Sequence, residues 1–284
     1  MDNKPAAIIF MILSAFSFAL MSLFVKIAGD IPMFERIFYT NVISLIGTFF
    51  IIRKKKKRLF GMKENQKYLF FRCLFGYLAL VTNFYAINNL YLADSAMLNK
   101  LSPFFVSIFA YIFLKEKMTK LQNSLLIVVF IGAIFIIKPE FGFGMLPALS
   151  GVVSALFSGA AYTLLRFLGD KEDYSTILFY FSVISIIGSF PIMIMNYHKL
   201  TYGQIVLVIA MGLFWLGGQV FMTLAYKYAP AGEISIYNYS NIIFSAILGY
   251  FMWKEVPDLL SFIGGFLIIL CGVINFIHSR KLIN

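Results

Sequence analysis

Ten long apolar runs follow one another through this 284-residue chain, each closed by a short polar or charged break. They cover Pro5–Ala28, Phe34–Ile52, Tyr68–Leu90, Ala93–Leu114, Leu121–Ile137, Met145–Gly169, Ser175–Met195, Gly203–Tyr226, Ala229–Met252 and Asp258–Ile277. Most hold the roughly 20 residues a helix needs to cross a bilayer. Within the hydrocarbon every backbone N–H and C=O must be paired inside the protein, which leaves helices or a closed barrel. None of the runs alternates polar and apolar residues over the ~10 positions of a barrel strand. The pattern predicts an all-α membrane protein with ten transmembrane helices. Composition agrees: 13% of the residues are charged, about half the share that coats a soluble domain. A soluble enzyme, a disordered chain and a disulfide scaffold are thereby excluded. The first run is too long for a signal-peptide core and is expected to be a first transmembrane helix. Cys73 and Cys271 fall inside apolar runs and are expected to pack as small hydrophobes.

The net charge of +11 comes from 24 Lys and Arg against 13 Asp and Glu. Ten spans place both termini on one side. Seventeen of the 24 positives fall on that side, among them the Arg53–Arg58 run, and four (Lys26, Lys138, Lys199, Lys254) on the other. The positive-inside rule then predicts cytoplasmic termini; a prokaryotic plasma membrane is the expected location. The Arg53–Arg58 run has no interleaved aromatics and abuts a span, so it is expected to face lipid phosphates rather than nucleic acid.

The two halves resemble each other. Ala86, Ala93-Asp94, Tyr111, Lys115 and Glu116 match Ala225, Gly232-Glu233, Tyr250, Lys254 and Glu255 at a constant offset of 139. Ser14-Ala15 and Lys26 match Ser154-Ala155 and Arg166 at 140. Each unit, 1–140 and 141–284, holds five spans. An odd number inserts the second copy upside down, an arrangement transporters use to alternate access to a central site.

The stretch from Phe84 through Ala93-Asp94 to Leu98, then Leu101-Ser-Pro-Phe-Phe105 and Phe113-Leu-Lys-Glu116, resembles the EamA family of the drug/metabolite transporter superfamily. Ala225-Tyr-Lys-Tyr-Ala-Pro-Ala-Gly-Glu233 and Trp253-Lys-Glu255 resemble its second repeat. The resemblance spans essentially the whole chain. It implies two inverted five-helix repeats around a central cavity, and carriers of amino acids, nucleotide-like metabolites, S-adenosylmethionine or toxic compounds. In pattern it is nearest to the S-adenosylmethionine-uptake-type members. Those often carry aromatic-aromatic-Arg-Asn in the second helix, where this chain reads Phe38-Tyr39-Thr40-Asn41, with Arg36 one turn earlier as a candidate substitute.

Charges inside a span cost a few kcal/mol and mark cavities or partners. Lys100, beside Asn99 and ahead of Ser102-Pro103, reads as a cavity cation for an anionic group or as a snorkelling side chain. Pro103 would bend the helix and serve gating, or form a static kink. Arg72 reads as an interfacial anchor or as part of the permeation path. Arg36 is expected to pair with Glu35 or with headgroups. Asp94 and Glu233 occupy equivalent first-turn positions that complement the helix dipole, and either could gate or couple transport, Glu233 being also a substrate-binding candidate that would pair with a cationic group. Glu233, Tyr237, Ser240 and Asn241 share an arc of roughly 100° at helical periodicity. Trp215, Gln219, Met222 and Tyr226 share a narrower one, suited to a ring or cation. Tyr162 is a further aromatic candidate.

With His198 and His278 the sole histidines, no metal spacing, phosphate loop or nucleophile elbow is present. The expectation is a non-enzyme without cofactor: a secondary carrier of a small zwitterion such as an amino acid or an S-adenosylmethionine-like metabolite. Its partners would be membrane lipids and a coupling proton or counter-substrate, with no nucleic acid, as monomer or homodimer. Efflux of aromatic or cationic toxicants, and a non-transporting scaffold or lipid-binding protein, stay open as alternatives.

Overall fold

The computed structural model describes residues 4–114, 119–138, 145–168, 171–228 and 235–283. Among them are helices and short turns and no strand. The helices are α1 (Lys4–Ile27), α2 (Met33–Lys55), α3 (Gln66–Asn89), α4 (Leu92–Asn99), α5 (Ser102–Leu114), α6 (Lys120–Ile137), α7 (Met145–Leu168), α8 (Tyr174–Met195), α9 (Tyr202–Tyr228), α10 (Ser240–Trp253) and α11 (Leu259–Ile283). A 24-residue helix such as α1 rises about 36 Å, enough to cross the ~30 Å hydrocarbon layer with modest tilt. Nine spans among the described residues are long and apolar enough to cross.

The fourth and ninth spans are not continuous helices. In the fourth, α4 stops at Asn99, Lys100 and Leu101 form a tight turn, and α5 starts at Ser102. Pro103 has no amide hydrogen, and its ring would strike the carbonyl of Asn99, four residues back. The chain therefore breaks upstream of Pro103, and the proline sits exposed in the first turn of α5. The expected bend at Pro103 is thus replaced by a break at Lys100–Leu101. In the ninth, the expected continuous helix over 229–252 is observed as a 3₁₀ turn, Ser235–Tyr239, leading into the 14-residue α10. The break recurs at the equivalent place, because Lys100 plus the repeat offset is Tyr239.

The packing keeps its pattern when each span is exchanged for the one five later. α1 lies on α9 as α7 lies on α3, and α1 meets α10 as α7 meets α5. The pairs α2–α8, α6–α11 and α4–α10 map onto themselves. The symmetry reaches single atoms. Ser14 Oγ donates to Gly218 O at 2.8 Å, and Ser154 Oγ donates to Ala79 O at 2.9 Å. Ser154 is Ser14 at offset 140, and Gly218 is Ala79 at offset 139. Such bonds between membrane helices are worth on average about 0.6 kcal/mol each, so they set register more than stability. This is the architecture of two inverted five-helix repeats.

Ten crossings put both chain ends on one face, here called the terminal face, with a distal face opposite. On the terminal face, Glu172 accepts from Met62 N and Asn65 Nδ2, both at 2.8 Å, tying the α7–α8 turn to the α2–α3 loop. On the distal face, Lys138 Nζ lies 2.7 Å from Asp258 Oδ2. Hydrogen bonding from Lys138 holds the Asp258 carboxyl below its ordinary value.

Candidate functional site

A cavity of about 140 Å³ lies between the repeats, walled by α1, α3, α4, α7, α8, α9 and the ninth span. Eight of the residues singled out by sequence meet there: Arg72, Asn99, Lys100, Tyr162, Trp215, Gln219, Met222 and Asn241. Arg72, Tyr162, Trp215, Gln219 and Met222 come from continuous helices. Asn99, Lys100 and Asn241 come from the two broken spans, which pack on each other through α4 and α10. Discontinuous helices expose polar backbone and side chains at membrane depth without lipid contact.

Lys100 is 7% exposed, at the turn that ends α4. It is a lining residue of the cavity. Its ammonium has no ion pair or hydrogen bond among the described residues. Arg72, also 7% exposed, projects from α3 with its guanidinium 5.3 Å from the Phe181 ring centroid. Its Nε is buried without a hydrogen-bond partner, as is Trp215 Nε1. Phe181 tilts against Trp215 at 6.0 Å between centroids, and Trp215 meets Phe18 edge-on at 5.7 Å. Arg72, Phe181, Trp215 and Phe18 thus form a continuous wall from α3 through α8 and α9 to α1.

Asn241 lines the cavity while its Nδ2 donates to Ala15 O at 2.9 Å, fixing α10 on α1. Beside it lies Asn238, which the helical arc of the sequence reading passed over. The 3₁₀ turn has about three residues per turn, so Asn238 and Asn241 share a face and Tyr237 rotates away. Tyr237 packs instead against the cluster of Ala7, Met11 and Ala225. Asn83, Ser22, Ser95, Ser154 and Ser158 also line the space. Small polar residues scattered through apolar helices left no periodic signal.

Other candidates lie elsewhere. Pro103 is outside the lining. Asp94 is 7% exposed and outside it too, with Oδ1 buried and without a hydrogen-bond partner. Glu233 and the side chain of Tyr226 lie outside the described residues. Arg36 does not pair with Glu35: its Nη1 donates to Val25 O at 2.6 Å and to Asn88 Oδ1 at 2.9 Å. It staples α2 to α1 and α3, and does not supply a cavity cation in place of Thr40. Of the two polar stripes, Trp215, Gln219, Met222 and Asn241 border the cavity, while Tyr237 packs beside Met222 against the Ala7 cluster.

The distal end of the cavity is bolted. Lys26 Nζ donates to Leu90 O at 2.7 Å and pairs with Glu255, whose Oε2 accepts from Leu92 N at 3.0 Å. Glu255 reaches back because α10 ends in a left-handed αL turn, Lys254 N donating to Tyr250 O at 2.9 Å. Lys254 takes a left-handed conformation, φ 58°, and Glu255 N donates to Gly249 O at 3.2 Å.

The model of the EamA-like transporter family matches residues 5–138 and 145–277. The chain is 32% identical over 276 residues to the pseudopaline exporter CntI of Pseudomonas aeruginosa, covering 96% of each. It is 30% identical over 262 residues to human solute carrier family 35 member G1, covering 87% of this chain and 72% of the other. An S-adenosylmethionine uptake transporter of Rickettsia felis is 25% identical over 179 residues, covering 63% and 60%. A solved crystal structure superposes with a TM-score of 0.69 over 99% of both chains at 14% identity, a likeness of fold.

Proposed function

The chain belongs to the EamA-like transporter family, and from that membership we propose a secondary active carrier that moves a small zwitterionic metabolite by alternating access. An amino acid or an S-adenosylmethionine-like compound is the class of substrate. The observation that carries this reading is the convergence of two buried, uncompensated donors, Lys100 and Arg72, with Trp215 in one cavity at paired helix breaks. Lys100, Asn99 and Arg72 meet the carboxylate. Trp215, Gln219 and Tyr162 hold the body of the substrate, and Asn241 with Asn238 orients its polar edge. Tyr237, on the same 3₁₀ turn as Asn238, supports that edge. Glu233 and Asp94 are coupling candidates, and Pro103 fixes the break that gates Lys100.

The units 1–140 and 141–284 rock against each other about this site. The terminal face is cytoplasmic, in a prokaryotic plasma membrane, because the basic residues concentrate there. Reconstituted vesicles loaded with labelled amino acids test the proposal in both directions. Flux that is saturable and lost in Lys100→Met supports it; flux and affinity unchanged in Lys100→Met remove Lys100 from the site. Efflux of a cationic toxicant would instead depend on Trp215 and not on Lys100.

A further inference from the structure

Among the described residues, the cavity carries positive charge with no acid lining it to balance it: its charged lining residues are Arg72 and Lys100. Both are more than nine-tenths buried. Three described acids near α4 and the end of α10 are engaged or lie outside the lining: Glu255 pairs with Lys26, Asp258 with Lys138, and Asp94 is not a lining residue. Taking one ion out of water costs several kcal/mol, and two like charges in one low-dielectric space add their repulsion. A counter-charge from the ligand relieves both at once. The buried N–H groups without partners, Arg72 Nε and Trp215 Nε1, call for acceptors rather than donors. What would meet an ammonium group is neutral: the amide oxygens of Asn83, Asn99, Asn238 and Gln219.

From this charge count we infer that the cavity selects a zwitterion with one more carboxylate than ammonium group, an amino-dicarboxylate in its simplest form. One carboxylate sits at Arg72 and the other at Lys100, with the carbon body against Phe181 and Trp215. The inference rests on the carrier reading above and narrows its substrate from neutral to acidic zwitterions.

Three probes that share the phenylalanine body and differ in charge test it: N-carboxymethyl-phenylalanine, phenylalanine and phenylalanine methyl ester. Binding to the purified full-length protein is read by tryptophan fluorescence and by thermal midpoint. The acidic probe is expected to bind at least tenfold more tightly than phenylalanine, and the ester most weakly. Arg72→Gln and Lys100→Met each remove that preference, while Arg72→Lys and Lys100→Arg, which keep the charge, retain part of it. Equal binding of all three probes, tightest binding of the ester, no binding of the acidic probe, or a preference that survives both neutral variants overturns the inference. Flux separates it from the carrier reading. Selective binding of the acidic probe without flux in vesicles leaves the inference standing and sinks the carrier. Flux of phenylalanine equal to that of the acidic probe does the reverse.

Discussion

Lys26 and Glu255, 229 residues apart in the chain, form an ion pair that joins the two repeats at the distal face. The pair also grips the α3–α4 turn, through Leu90 O and Leu92 N. From Leu92, α4 runs eight residues to Asn99. A short rigid helix therefore connects the bolt at one end to Lys100 at the other, and release of the bolt frees the segment that carries the cavity cation.

Removing one partner of this pair should open the distal end. Breaking a buried pair costs roughly 3–5 kcal/mol, and each 1.4 kcal/mol is about tenfold in population. With a Ser95→Cys reporter in a Cys73→Ser, Cys271→Ser background, Glu255→Gln is expected to speed labelling by an impermeant maleimide from the distal face at least tenfold. The swap Lys26→Glu with Glu255→Lys should restore slow labelling. Equal rates in all three would show that the pair does not close the cavity.

The bolt depends on one glycine. A Cβ built at Gly249 would lie 2.9 Å from Glu255 Oε2 and 3.6 Å from Leu92 Cβ. Gly249→Val should push the carboxylate off Leu92 N and reproduce the fast labelling of Glu255→Gln while both charges remain. Lys254→Gly, which suits the left-handed turn at φ 58°, should leave labelling slow. If Gly249→Val labels slowly, the close approach of α10 to α4 does not hold the carboxylate in place.

Lys100 is expected to cost the empty protein stability. A buried cation without a partner is a penalty that substrate relieves, so Lys100→Met should raise the thermal midpoint by a few degrees, on the order of 1 kcal/mol. The same variant should lose stabilisation by a carboxylated ligand. A snorkelling lysine anchored in headgroups predicts the opposite sign, a lower midpoint on substitution. The direction of the shift decides between the two roles.

What the sequence made legible follows the energetics of a bilayer. Long apolar runs and rare charges are forced by solvation, so the spans and the repeat could be read directly. Arg72 and Lys100 could be singled out as charges within spans but not placed in a cavity rather than at the interface. The break at Lys100–Leu101 was half legible, since Pro103 announces a disruption but steric contact with the carbonyl of residue 99 sets where it falls. Phe18 and Phe181 were invisible: in a chain with 33 phenylalanines an aromatic residue on a membrane helix carries no signal, and only packing brings these two against Trp215. Asn238 was missed for a different reason. An arc drawn at 3.6 residues per turn assigns the face to Tyr237, and no local residue marks Ser235–Tyr239 as 3₁₀.

A last prediction concerns pH at the terminal face. Asp173 caps α8: its carboxylate accepts from Ser175 N at 2.9 Å and from the Ser175 hydroxyl, and Lys55 Nζ lies 3.7 Å away. Partial burial pushes the carboxyl up, but these hydrogen bonds and the charges of Lys55 and Lys57 outweigh it, and the group sits below its ordinary value. A group depressed in the folded state stabilises above its unfolded pKa, near 3.9, and loses that contribution as pH falls through the lower folded value. Losing an aspartate cap costs about 1 kcal/mol. Asp173→Ala should therefore melt a few degrees below wild type at pH 6–8, and the gap should narrow below about pH 4. Thermal midpoints of both proteins from pH 3 to 8 check this. A gap that persists undiminished at pH 3 would mean that the carboxylate's charge contributes nothing to the cap.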